Sequence, residues 1–250
     1  MLKRAGLALT ILTTVILAAT GFATVAVASP AVSPQVAACL ARARSDLRRN
    51  NFRPCLRNCN DAIKLDPKCG DAYVYKGYAL HGLEDYKGSA LAFKTGLDLL
   101  PNYGKGSKFI ANFGDNWTYH NFAQTTFQSG DPQGALKIIQ KTIPLCTNPH
   151  LLYEDRSTIY VTLNQYDKAL VDINKAIALK SNEPHHYECR ARIYEHTKQY
   201  KLEIADLTKS LSMLAHPDAI VLRRRGDAYK ALGDLKQAKA DYDAASEEDF

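Results

Sequence analysis

Gly70–Tyr103 reads GDAYVYKGYALHGLEDYKGSALAFKTGLDLLPNY. Its small and apolar residues recur at helical spacing in two blocks, separated by a short turn and closed by Pro101, which predicts a pair of amphipathic helices. One such pair cannot bury its apolar faces alone. It needs neighbours of the same kind to stack on.

Outward from this copy, the pattern recurs about every 34 residues, at Val36–Cys69, Gly70–Tyr103, Asn116–Pro149, His150–Glu183, Pro184–Asp218 (one residue longer) and Ala219–Phe250. The eighth place of each copy is small: Ala43, Gly77, Ala123, Ser157, Ala191 and Gly226. The twenty-seventh is small too: Ala62, Gly96, Thr142, Ala176, Ser210 and Ala245. Larger groups fill the fourth place (Cys39, Tyr73, Tyr119, Tyr153, Tyr187, Leu222) and the twenty-fourth (Cys59, Phe93, Ile139, Ile173, Leu207, Tyr242). Small residues let antiparallel helices approach, and bulky ones fill the space beside the contact. The turns carry Asn50-Asn51, Gly130-Asp131, Asn164-Gln165 and Gly233-Asp234, residues that tolerate turn geometry. Pro67, Pro101, Pro149, Pro184 and Pro217 punctuate the copies, where a proline stops one helix or opens the next.

This phasing resembles the tetratricopeptide repeat family, from Val36 to the end of the chain. The resemblance implies an all-α, right-handed superhelical solenoid of about six helix–turn–helix repeats. It also implies a concave groove lined by the first helix of each repeat. On that geometry the groove would offer Tyr78, His81, Trp117, His120, Gln124 and Phe127 from repeats two and three; the alternative is that Trp117 and Phe127 pack against residues 104–115. Glu188, Arg192, Glu195, Arg223 and Asp227 would form a mixed charged wall in repeats five and six. The Asn and Lys with which chaperone-binding members clamp a C-terminal carboxylate are replaced by Tyr75 and Trp117. Asp46 and Thr126 stand where a bulky residue is usual, and Glu203 takes the twentieth place, which is Cys, Ser or Ala in the other copies. An unpaired carboxylate there is costly, which predicts a local tilt of its helix.

The N-terminus has its own logic. Lys3 and Arg4 precede an uncharged run from Ala5 to Ala28 that ends in Ala26-Val27-Ala28. Residues 1–28 therefore read as a secretory signal peptide cleaved before Ser29, or as an uncleaved membrane anchor, since roughly 18 apolar residues suffice to span a bilayer. Residues 29–35, with two prolines, read as a linker. A lipid-attachment reading of Val36-Ala37-Ala38-Cys39 is disfavoured by its distance from the apolar run. The expected location is periplasmic or extracellular. The net charge of +6 is too small an excess to indicate nucleic acid. Repeat one is basic, with Arg42, Arg44, Arg48, Arg49, Arg53 and Arg57, which suits either solvated surface or anionic headgroups.

Residues 104–115, GKGSKFIANFGD, interrupt the array without matching a phosphate-binding loop. They read as a longer inter-repeat turn or an extra helix. Four of the six cysteines fall in repeat one. Cys39 and Cys59 occupy facing places, and in an exported protein a disulfide between them would contribute roughly 3 kcal/mol. The other reading is that the repeat-one cysteines are small buried hydrophobes; Cys146 and Cys189 receive no role. No C-x-x-C pair supports zinc. His185, His186, Glu188, Cys189 and His196 cluster in repeat five, but they read as groove or solvated surface, with no metal and no cofactor. No H-E-x-x-H, G-x-S-x-G or paired-carboxylate motif occurs. The expectation is a non-enzymatic exported scaffold that binds a protein or peptide in its groove. The alternative is a structural assembly or membrane-surface module of the cell envelope.

Overall fold

The computed structural model of the chain describes residues 33–100 and 115–247. The apolar segment 1–28, most of the linker, and residues 104–114 of the insertion lie outside the described residues. Twelve α-helices and no strands occur among the described residues. They fall in six pairs: α1 (Pro34–Arg48) with α2 (Phe52–Leu65), α3 (Gly70–Gly82) with α4 (Tyr86–Leu99), and α5 (Asp115–Gln128) with α6 (Pro132–Thr142). Then come α7 (His150–Thr162) with α8 (Tyr166–Leu179), α9 (Pro184–His196) with α10 (Tyr200–Leu211), and α11 (Ala219–Ala231) with α12 (Leu235–Glu247). A 3₁₀ turn, Ile143–Leu145, extends α6. None of these helices is long and apolar enough to cross a membrane.

Every pair turns at the same place. The fifteenth residue of each repeat is left-handed: Asn50, Glu84, Gly130, Asn164, Lys198 and Gly233, with φ between 56° and 91°. Gly and Asn adopt this conformation readily. Glu84 and Lys198 adopt it against their intrinsic preference. The second helix of repeats two, three and six is then capped by Asp85, Asp131 and Asp234, whose carboxylates accept backbone N–H bonds.

Each second helix packs on its own first helix and on the first helix of the next repeat. The first helices of repeats one to five also pack on one another in succession, and no second helix packs to that degree on another. The array therefore closes toward its first helices, forming an all-α solenoid. The predicted small-to-bulky contact lies at the centre of each pair. A Cβ on Gly77 would sit 2.8 Å from Phe93 Cγ, and one on Gly226 would sit 2.7 Å from Tyr242 Cε1. Glycine thus occurs where the opposing residue is aromatic, and Ala or Ser where it is Cys, Ile or Leu.

A second set of contacts holds the pairs. Arg156, Arg190 and Arg225 each grip an aspartate sixteen residues on, at Asp172, Asp206 and Asp241, through two hydrogen bonds of 2.6–2.8 Å. The aspartates are nearly buried, so each needs its guanidinium. In repeat one the same places hold Arg42 and Asn58, joined at 3.1 Å. Repeats two and three carry Lys76 with Ala92 and Phe122 with Ile138 there instead. Asp46, unexpected in its place, accepts a bond from Asn58 at 2.8 Å. Thr126, in the equivalent place, bonds back to the Phe122 carbonyl.

One expectation meets a different arrangement. All six cysteines are free thiols, so the Cys39–Cys59 disulfide is not formed. Cys39 lies in a cluster with Val36, Ala62, Cys69 and Ala72. Cys59 lies in the main core beside Cys55, with 3.9 Å between the two sulfurs. Facing places in the repeat thus diverge into separate packing clusters. Glu203, by contrast, is buried as its place requires, at 2% exposure. One of its carboxylate oxygens has no hydrogen-bond partner. Burial pushes its carboxyl up to about 7, Glu195 and Asp227 add to the shift, and Arg224 opposes it.

Gly77→Ala should destabilise the chain by about 1–3 kcal/mol in denaturant melts, because Phe93 cannot retreat. In a Phe93→Leu background the same change should be neutral or stabilising, since Ala favours helix by about 1 kcal/mol. Equal costs in both backgrounds would contradict the packing account. For Glu203, the folded state holds a proton that the unfolded chain gives up near pH 4.5. Stability should therefore fall as pH rises from about 4.5 to 7 and level off above that, by on the order of 2 kcal/mol. Glu203→Gln should match the wild type near pH 4 and exceed it at pH 8. Parallel melting curves across that range would show that Glu203 carries no such cost.

Candidate functional site

The first helices place one row of side chains on the inner face of the array. At its N-terminal end this row is more closed than the sequence suggests. Tyr78, expected to be exposed, is 7% exposed and belongs to the core. Its hydroxyl shares a 2.8 Å hydrogen bond with Thr118, and its ring meets Phe93 edge-on. His81 is half-buried, with Nδ1 2.9 Å from the Thr125 hydroxyl, and burial holds its imidazole below the usual value. Phe127 is also half-buried, packed on the main core, and Gln124 is half-buried beside it on α5.

Trp117 behaves differently. It is 46% exposed, and its ring lies 5.2 Å from that of His120. His120 is in turn fixed to Asp155 of the next repeat, Nδ1 to Oδ2 at 2.7 Å. Burial works against charge in this pair. Burial acts to lower the His120 imidazole, but the bond and charge of Asp155, with the charge of Glu154, together hold it above its ordinary value, while burial pushes Asp155 itself up. The only tryptophan in the chain is thus an exposed ring on a rigid support.

Farther along, α7 and α9 assemble a polar cluster. His186 is fully buried, a correction to its reading as groove or solvated surface. Its Nδ1 lies 2.6 Å from Glu154 Oε2, and its Nε2 lies 3.1 Å from His150 Nδ1. A histidine can be buried here because the carboxylate and the second imidazole satisfy both ring nitrogens. His185, 55% exposed, points its Nε2 at Glu154 Oε1 (3.5 Å) and at Cys189 Sγ (3.6 Å). Its Nδ1 faces Glu188 Oε2 at 3.5 Å. Glu188 also accepts a 2.6 Å bond from the Ser210 hydroxyl. Cys189 and Glu188 together push the His185 imidazole up to about 11, against its burial. At Glu154 burial acts to raise the carboxyl, but His186 and His185 bring it below its usual value.

Cys189 also borders a cleft of about 350 Å³, with Arg192, His196 and Asn164 on its walls. Arg192 and Arg223 are exposed. Glu195, Asp227 and Glu203 line a second cleft of about 410 Å³ between repeats five and six.

The repeat phasing held a signal for the buried pair. The third place is Ala38, Ala72, Thr118, Leu152 and Val221 in the other repeats, so a histidine there needs an internal partner. The Arg–Asp clamps were legible too, as Arg in the seventh and Asp in the twenty-third place of the last three repeats.

Models of the tetratricopeptide repeat match residues 40–103, 152–183 and 224–250. No curated protein sequence matches the chain significantly. Among solved structures, the widely conserved type IV pilus biogenesis factor PilW is similar over 84% of this chain and 91% of its own, with a TM-score of 0.71 and 16% identity. Pseudomonas aeruginosa PilF is similar over 83% of this chain and 88% of its own, with a TM-score of 0.66 and 13% identity. MamA is similar over 69% of this chain and 94% of its own, with a TM-score of 0.57 and 20% identity. At these identities the likeness concerns the fold. With the repeat phasing, the paired helices and the family matches in agreement, the chain belongs to the tetratricopeptide repeat family.

Proposed function

We propose that this chain is an exported, non-enzymatic scaffold that takes a protein or peptide segment along the row formed by its first helices. The observation that carries this reading is Trp117, exposed yet braced through His120 on Asp155. A large rigid ring loses little conformational entropy on binding and is a typical interaction hot spot. Arg192 and Arg223 extend the row with exposed cations, against the acids Glu195 and Asp227. Such a row suits a segment with an apolar anchor and mixed charge. Export is supported by Lys3, Arg4 and the uncharged run ending at Ala28. PilW, whose fold this chain shares, is a type IV pilus biogenesis factor, which suits an envelope assembly role.

The alternative, an assembly module stacking on other subunits, draws on the exposed apolar side chains of repeat six. Ile220 and Leu235 are each 66% exposed, and Leu232 is 44% exposed, all in repeat six. Apolar surface of this kind favours association. Light scattering that shows a strict monomer at high concentration would argue against it.

The single tryptophan makes the principal test direct. Partner binding should shift the Trp117 emission. Trp117→Ala should weaken capture of cross-linked envelope partners about tenfold or more, with the melting temperature unchanged. Undiminished capture by the variant would sink the groove assignment. N-terminal sequencing of the purified chain should find Ser29 first if the segment is cleaved.

A further inference from the structure

We propose that Glu154, His185 and Cys189 form a Zn²⁺ site on the first-helix face, spanning repeats four and five. His185 and Cys189 stand four residues apart on α9 and so share one face of that helix. Glu154 comes from α7, packed alongside. Among the described residues, one ligand atom from each of the three lies within 4.8 Å of the others.

The spacing fits the ion. With Zn–S at about 2.3 Å and Zn–N or Zn–O near 2.0–2.1 Å, a tetrahedral centre separates S from N by about 3.6 Å and N from O by about 3.4 Å. The structure places Cys189 Sγ 3.6 Å from His185 Nε2, and Glu154 Oε1 3.5 Å from the same nitrogen. One thiolate, one imidazole and one carboxylate form a borderline-soft donor set that suits Zn²⁺ rather than Mg²⁺ or Ca²⁺.

The surroundings orient the ligands. Zinc-bound histidines commonly turn their other ring nitrogen toward a carboxylate. His185 Nδ1 faces Glu188 in this way, and Ser210 holds Glu188. His186 occupies Glu154 Oε2, which leaves Oε1 directed at the site. A charge network alone would account for the imidazoles and carboxylates; Cys189, packed with Ala169, Ile173 and Ile193, adds to it a nearly buried sulfur at ligand distance from the exposed histidine. Three protein ligands leave a fourth position for water or for a donor atom of a bound segment. Cys189 also borders the 350 Å³ cleft, so that position is within reach of material in the groove. Binding releases the His185 and Cys189 protons to solvent.

The site stands independently of the groove reading and is tested with metal alone. The full chain, kept reduced, is titrated with Co²⁺ and then with Zn²⁺. One equivalent of Co²⁺ should give a thiolate-to-metal charge-transfer band and the intense visible bands of tetrahedral cobalt, and one equivalent of Zn²⁺ should remove them. His185→Asn, at an exposed position, should abolish the band with helical circular dichroism unchanged. Cys189→Ala, small enough for its place, should do the same. Glu188→Gln, at a positioning residue, should keep the band but weaken affinity about 10- to 100-fold. A band that survives His185→Asn would put the cobalt on other thiols and overturn the proposal. The absence of any thiolate band in the wild-type chain would overturn it as well.

Discussion

The whole array depends on how closely two antiparallel helices approach at the eighth place of each repeat. There the backbone of the first helix lies against the side chain of the second, close enough that Phe93 and Tyr242 leave no space for a Cβ on Gly77 and Gly226. This contact sets the distance between the helices of a pair, and so determines which side chains of the first helix turn inward. The succession of first helices, packed on one another, follows from the same geometry repeated. The exposed row at Trp117 and the cluster at His185 are consequences of it. Neither would exist if the pairs were held a few ångströms farther apart.

Periodicity made most of the fold legible before any coordinates. Small, bulky and proline places kept in phase across six copies admit few arrangements other than stacked helical pairs. The site was harder to read because it depends on deviations from the repeat. Tyr78 looks like a groove aromatic until the partner of its hydroxyl, Thr118, is brought in from the next repeat. Residues 104–115 intervene between those two repeats, and nothing in local spacing reveals the pairing. His186 was misjudged for the opposite reason. Its apolar place argued for burial, but burying an imidazole needs Glu154, which lies 32 residues earlier. Cys39 and Cys59 show a limit of repeat logic itself. Facing places guarantee proximity of backbone, not that two side chains point into the same cluster.

The two halves of the array solve the pairing problem with different chemistry. Repeats one to three share one large apolar cluster that continues into α7 through Leu152 and Ile159. In repeats two and three the clamp places hold Lys76 with Ala92 and Phe122 with Ile138. Repeats four to six have smaller clusters, and there the nearly buried Asp172, Asp206 and Asp241 are each held by an arginine. A buried ion pair adds little net stability over an apolar pair, but it tolerates little misalignment. It fixes the register of the helices that carry it. This suits the half of the chain that must hold Glu154, His185 and Cys189 at defined distances.

The arginines do more than close their own pairs. Arg190 also bonds to Asn174, and Arg225 to Thr208, each in the second helix of the preceding repeat. In a one-dimensional array, cooperativity is set by the coupling between neighbours more than by the intrinsic stability of each unit. These side chains are shared between adjacent units, so one repeat cannot open without freeing a charge from the other. Repeats four, five and six are thereby linked by side chains that bond across each junction. At the preceding junction, where α6 ends in a 3₁₀ turn before α7, Arg156 holds only its own Asp172 among the described residues. α6 also packs less extensively on α7 than α8 does on α9 or α10 on α11, so local opening is expected first at that boundary, ahead of the block that carries the histidine cluster.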